Sequence, residues 1–420
     1  MRRSQPPPAH RRRACAAAVT MSAVGASACG LVLGIDDIPA VQGVADAGVK
    51  DAREAGDVRA DVVDAKRDRS VDARPDQGVD APGHEVGPVG QLPARSGPQS
   101  TSDAAINFAL HQMWVGDTDK DSAFTPDLSA WATFGYNIDG KVTTSSSTDV
   151  CTLSSNAEPT AQVDGLNGAD NSFGENLVGG LSLLFQGLSL DLTTRIESGA
   201  FTILIDTTGL SPSPVQTNVG LTTSMLAGAR FSGTPTFTLA DNWPVNPSTL
   251  ADGVSLANGA KISISDSYVT GGTFVSGHPS DFGFTIQVSN QPFLLIMHQA
   301  VTTFQHTVDD AGANHAVNGM VAGVLKASEV ISALKGVAAG SSHGQYCPIV
   351  ASLAERILAA QDIMEDGTNT PGQPCNGISI ALAFTADEIQ PPSQVAPQSY
   401  SDGSVPQCPV DGGDAGDAAP

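Results

Sequence analysis

Asp117, Asp119 and Asp121 occupy alternate positions in Gly116-Asp117-Thr118-Asp119-Lys120-Asp121, the spacing at which carboxylates surround a hard cation such as calcium with oxygen. The EF-hand pattern goes no further. Its sixth position is Ser122 where the sharp turn needs Gly, and its twelfth is Leu128 where a bidentate Glu is needed. These acids therefore describe an irregular calcium loop rather than an EF-hand. A second oxygen-rich loop offers Asp164, Asn167, Asp170 and Asn171. The competing role for both loops is local, because Asp and Asn side chains in turns bond to nearby backbone amides and cap the element that follows, here from Ser172.

Two further patterns carry chemistry. Gly340-Ser341-Ser342-His343-Gly344 spells the G-x-S-x-G of a hydrolase nucleophile elbow. That elbow sits between a strand and a helix of a parallel sheet, whereas a helical run and a glycine-rich turn precede Ser342, so a loop is the first reading and a secreted hydrolase the alternative. His298 and His306 would share a face if one strand ran from 293 to 306, and His315 follows nearby, but zinc needs a third fixed ligand with outer partners, and no H-E-x-x-H occurs. Trp114, Trp131 and Trp243 are candidates for stacking on a glycan, against the commoner use of Trp in a core.

The elements that must position these residues are read from periodicity. Ile106, Phe108 and Leu110 alternate with polar or small neighbours as a half-buried strand does. Thr125-Pro126 opens a short helix to about residue 134, which Gly135 stops. Ser172-Phe173-Gly174-Glu175 has the form of a capping box, and Leu177, Leu181, Leu184, Leu188 and Leu192 follow at helical spacing, predicting a helix over 173–190. From Phe201 to about residue 305 the chain breaks into short Thr-, Ser- and Val-rich runs, among them 215–221, 234–239, 261–265, 268–275, 282–288 and 293–301. Helices over 328–335 and 348–366 and a strand over 377–384 complete the pattern. The fold class expected is α+β and strand-dominated, an antiparallel β-sandwich or jelly-roll-like body with a few packed helices.

Residues 11–29 run from Arg11-Arg12-Arg13 through an alanine-rich stretch to Ala26-Ser27-Ala28-Cys29. That order is a basic region, an apolar region and a small-residue cleavage site, so residues 1–28 read as a signal peptide and Cys29 as the acceptor of a lipid anchor. Simple secretion is the alternative address. Residues 29–91 are rich in Asp, Ala, Val and Gly, and the tail over 410–420 has the same character. Neither can bury enough apolar surface to offset the ordering entropy of roughly 1 to 2 kcal/mol per residue, so a disordered spacer and tail flank a globular region over 92–409.

The chain's net charge is −23, and between residues 91 and 409 nine Lys and Arg face 28 Asp and Glu. Such a surface repels phosphate, which disfavours nucleic acid and anionic lipid headgroups as partners. With Cys15 in the leader and Cys29 lipidated, Cys151, Cys347, Cys375 and Cys408 form two disulfides in an exported chain. The pairing favoured is Cys347 with Cys375 and Cys151 with Cys408. If 348–366 were one helix of ~28 Å, the return segment to Cys375 would run straight along it.

Gly116 to Asp119, Ala130-Trp131, Gly135-Tyr136-Asn137-Ile138-Asp139-Gly140, Asp164-Gly165, Asp170 to Gly174, and Cys375-Asn376-Gly377-Ile378-Ser379 together carry a resemblance. Across residues 105–385 the chain resembles a group of large predicted bacterial lipoproteins with an Asp- and Ala-rich spacer and no assigned activity. The resemblance implies a place in the bacterial cell envelope and leaves the activity open. The function expected is a non-catalytic binding or structural role, with calcium, a glycan or an envelope protein as ligand and the membrane reached through the lipid.

Overall fold

The computed structural model describes residues 90–120, 123–178, 187–288, 291–340, 347–397 and 408. The leader, Cys29, the spacer as far as residue 89, Asp121, Ser342 and the acidic tail lie outside the described residues, while Gly90, at the spacer's end, bridges to Tyr136. No described helix is long and apolar enough to cross a membrane.

The strands are β1 Ala105–Trp114, β2 Thr202–Thr208, β3 Asn218–Gly228, β4 Ile262–Thr270, β5 Thr273–Val275, β6 Ser280–Val288, β7 Gln291–Val308, β8 Asn314–Lys326 and β9 Gly377–Ile389. They pair in the order β5-β4-β3-β2-β1-β9-β8-β7-β6, and β5 also pairs with β7. That last pairing closes eight strands into an antiparallel barrel, with β6 attached to the first half of β7 outside the ring. The expected sandwich or jelly roll is therefore corrected to a closed β-barrel with a few helices. Two features hid the closure. The closing pair is only Thr273–Val275 against Thr303–Gln305, too short to show a period. Strand β8, which joins β7 to β9, is buried on both faces along most of its length and so lacks the alternation of a half-exposed strand.

Buried residues from all eight ring strands belong to one apolar cluster, which requires a shared inner face. At its centre Phe304 stacks on Phe274 at 4.5 Å and meets Phe108 edge-on at 5.3 Å, all three fully buried. Each such ring contributes about 2 to 3 kcal/mol by leaving water. Gly319 is required by the same packing, because a Cβ there would lie 2.4 Å from the Phe384 ring. A second cluster covers the outer face of β1, β9 and β8, where Phe124, Ala130 and Phe134 lie on Trp114, Met320, Ala322, Ala381 and Ala383.

Helices α1 Leu188–Glu197, α2 Ala327–Gly340 and α3 Cys347–Ala359 gather at one end of the barrel. Thr193 and Ser189 of α1 accept hydrogen bonds from the backbone N–H of Met113 and Val115 at 3.0 and 2.9 Å, pinning that helix to the end of β1. Three helix expectations are corrected. The stretch 126–134 holds only a 3-10 turn, Ala130–Thr133. The stretch 173–190 begins as a π-helical turn, Phe173–Val178, and a separate helix starts at Leu188 after Gly187, whose φ of +74° breaks any continuous helix. The stretch 348–366 stops at Ala359, so that Ile363 can bridge to Gly377.

Two disulfides form, Cys151 with Cys375 and Cys347 with Cys408. All four cysteines are paired as expected, but in the other connectivity. The early end of α3 removes the premise of the expected pairing, and a bridge between Thr152 and Pro374 places Cys151 beside Cys375.

Candidate functional site

The predicted acids separate into two groups. Asp117 follows β1, and its carboxylate accepts from both the Ser189 backbone N–H, at 3.3 Å, and the Ser189 hydroxyl. Because Gly187 offers α1 no side-chain cap, Asp117 supplies the anion that the helix N-terminus favours. Asp119 instead donates its backbone N–H to the Thr125 carbonyl at 2.9 Å, in the loop where Asp127 accepts from Ser129. Asp117 and Asp119 are thus drawn to different partners, and Asp121 lies outside the described residues.

Asp164 and Asp170 are brought together. Their carboxyl groups lie close enough for like charge to add to burial in favouring the protonated form of Asp170. Asp164 also accepts from the Thr143 N–H, and Asp170 accepts from the N–H of Ile138 at 2.6 Å, so the pair fastens the loop over 138–143. Asn167 sits in the turn between them with a φ of +58°, a conformation Asn tolerates better than most residues. Its neighbour Asn171 caps the π turn by accepting from Gly174 N–H at 3.1 Å, the role expected of Ser172. Ser172 instead donates to the Ala360 carbonyl at 2.6 Å.

Sequence reasoning missed two members of this acid group. Asp139 accepts from Asn369 Nδ2 at 2.9 Å. Asp362 is buried after α3 and takes both the N–H and the hydroxyl of Ser379, at 2.8 and 2.6 Å. Burial is the first cause of a raised pKa at each of the following groups, with neighbouring carboxylates adding to it. Asp164 is pushed up to about 6, Asp362 to about 7, and Asp170 well above the usual carboxylate range. Nearby Glu175 rises to about 7 for the same reasons. The nearest cation, Lys141, is taken by Asp149 and by the Asn369 carbonyl. Among the described residues no group of three or more His, Cys, Asp or Glu side chains is placed to hold a metal ion. Asp170 and Asp362 are 4% and 7% exposed, which keeps them from a bulky substrate.

The histidines do not converge. His298 lies between Asp281 and Glu329 at 3.0 and 2.8 Å, His306 bonds Asn314 at 2.8 Å, and His315 bonds Asp387 at 2.6 Å. Asp387 also receives His111 at 2.6 Å, so one carboxylate of β9 joins histidines of the two flanking strands. Trp114 and Trp243 are buried, which removes both as sugar platforms.

The site that sequence reading did not find is a void. Where α1, α2, α3 and the π turn meet the ends of β1, β7 and β9, they leave a cavity of about 150 Å³. Its walls include Met113, Leu177, Leu192, Leu295, Val330 and Ile357, and only Arg356 among the lining residues carries a charge. Phe173, Leu188, Phe293, Leu334 and Leu353 are half-buried at its edge. Each of these residues reads in the sequence as ordinary core on a helical or strand face, and nothing in a period distinguishes a filled core from one with a gap. No protein-family model matches the chain, and neither a curated protein nor a solved structure is a match for it.

Proposed function

We propose that this protein is a non-catalytic binding protein of the bacterial envelope, tethered through Cys29, whose barrel holds a small apolar molecule or the end of an acyl chain in the helix-covered cavity. The observation that carries the reading is the apolar wall of that cavity, to which Arg356 alone among the lining residues brings a charge. A cavity of about 150 Å³ without polar groups stays dry and takes a guest of benzene size. The aromatic and aliphatic side chains at its edge continue the apolar surface outward, which suits a longer chain with one end inside. The tether rests on the order of residues 11–29, and the Asp- and Ala-rich stretch after it would hold the barrel away from the membrane.

Fluorobenzene followed by 19F NMR is a direct test. Wild-type protein gives a saturable shift at one guest per chain, and Leu192→Phe and Leu334→Trp, which fill the space, abolish it while keeping the circular dichroism of the folded state. Equal binding in the filled variants would remove the cavity from the function. For the tether, metabolic labelling with an alkyne fatty acid should mark the wild type and leave Cys29→Ala unmarked.

A second reading, calcium at Asp164, Asn167 and Asp170, is favoured by the crowding of Asp164 and Asp170, where burial and like charge make the carboxyls hold a proton more tightly. A divalent cation would replace that proton and complete its shell with backbone oxygens and water. Calcium should then release protons into a weakly buffered solution and raise the melting temperature in a way that chelator reverses; a calorimetric titration showing neither heat nor proton release removes this reading.

A further inference from the structure

A second cavity, of about 160 Å³, lies on the outer side of the barrel where the chain over 90–93, Lys120 and the segment over 133–136 meet β5, β7 and β8. Its character is opposite to that of the apolar one. Lys120, Tyr136, Thr273, Thr303, Gln305 and Asn318 bring polar groups to it, and Met320 and Pro93 supply apolar wall.

Three features of this place go beyond what packing requires. Strand register breaks in both β7 and β8 here, between Thr303 and Gln305 and between Ala316 and Gly319. Paired bulges turn polar side chains toward one spot. Asn318, in the second break, has a φ of +50° and donates from Nδ2 to Gln305 Oε1 at 2.8 Å, which fixes the Gln305 amide with its NH₂ left to donate. The Tyr136 hydroxyl is tied to Thr303, so the back of the pocket is held by side-chain bonds.

The third feature is Lys120. In a chain of net charge −23, no carboxylate among the described residues lies within ion-pair distance of its ammonium. Lys120 is an exposed residue whose ammonium lies 3.4 Å from the Thr133 carbonyl and 4.8 Å from the centre of the Phe134 ring. Loss of hydration lowers its pKa. No carboxylate among the described residues neutralises this cation, which leaves it able to take an anion.

We infer that this pocket binds a small organic monocarboxylate, with Lys120 Nζ on the carboxylate, the Gln305 amide beside it, and the apolar part of the ligand on Met320 and Pro93. One cation matches one negative charge. A multiply charged anion or a phosphate would meet stronger repulsion from the chain's net charge of −23. The volume admits a ligand of amino-acid size rather than a polymer. This inference does not depend on the apolar cavity at the barrel end.

The test is saturation-transfer NMR on the full chain with butyrate, lactate and benzoate, and with butyramide as the uncharged counterpart of butyrate. At least one carboxylate is expected to bind, butyramide to bind much more weakly, and Lys120→Met to weaken the carboxylate by about tenfold with an unchanged melting temperature. Gln305→Ala should weaken it by a smaller factor. The inference is overturned if butyramide binds as well as butyrate, if Lys120→Met binds like the wild type, or if none of the three carboxylates shows saturable transfer at millimolar concentration.

Discussion

Asp362 and Asp387 are both aspartates on the margins of β9, yet the protein settles their charges in opposite ways. Asp362 is buried among Asp164, Asp170 and Ser379, and burial with like charge raises its pKa to about 7. Asp387 is also pushed upward by burial, but the hydrogen bonds and charges of His111 and His315 outweigh this and hold it below the usual range. The difference lies in what the neighbouring strands supply. In a globular region with three acids for every base, a buried carboxylate is neutralised by a proton unless the register places a base opposite it.

The largest effect expected is at Asp362. Asp362→Ala leaves the buried N–H and hydroxyl of Ser379 without their acceptor and should cost about 2 to 4 kcal/mol in urea unfolding. Asp362→Asn, which resembles the protonated acid in shape, should cost under about 1 kcal/mol at pH 7. If the two variants lose the same amount, the proton has been assigned to the wrong group.

The pH dependence sharpens the contrast. A carboxyl whose folded pKa is raised binds its proton more tightly folded than unfolded. It therefore stabilises the protein less as pH climbs from about 4, the unfolded value, through about 6 to 7 for Asp164 and Asp362. Asp170→Asn relieves this crowding, so its stability relative to wild type should improve steadily across that window. Unfolding measured at pH 4.5, 6 and 7.5 checks the trend, and a constant difference would count against it.

Asp387 gives the opposite sign. Its lowered pKa contributes stability above about pH 4 that is lost as pH falls. At His315, burial pulls the pKa down but the hydrogen bonds and charges of Asp387 and Asp309 raise it on balance. That contribution is whole below about pH 6.5 and fades as pH rises through the folded value. Asp387→Asn should therefore cost about 1 kcal/mol near pH 5.5 and less at pH 9. The double variant with His315→Gln should lose less than the two single losses together.

How far the sequence reveals this arrangement differs between the parts. Strands β1 and β9 were legible because one face of each segment is continuously apolar, and the cysteines announced themselves by number. Strand β8 was not legible, since Gly319 and Gly323 interrupt the run to which Val321 and Leu325 belong on its inner face. Asp164 and Asp170 could be grouped from their loop, whereas Asp362 stands almost two hundred residues away and joins them only because α3 ends early. The pairing of Asp387 with His111 and His315 depends on which strands flank β9, and so on barrel closure, which a three-residue strand decides. Local chemistry could be read from the sequence, and chemistry created by register could not.

Asp117 offers a third way to settle a carboxylate, and the smallest effect. Neither an extra proton nor a histidine is involved; the carboxylate faces Ser189 N–H and hydroxyl at the start of α1. A helix N-terminus supplies partial positive charge, typically worth about 0.5 to 1 kcal/mol to an anion near the surface. Asp117→Asn retains an acceptor for Ser189 and loses the charge, so it should cost only a few tenths of a kcal/mol, and Asp117→Ala about 1 kcal/mol. Because Ser189 also accepts from the Val115 N–H, the Ala variant should loosen α1 against β1 and so raise hydrogen exchange at Val115 and Met113 first. If exchange rises instead around Asp119 and Thr125, the carboxylate serves its own loop rather than the helix.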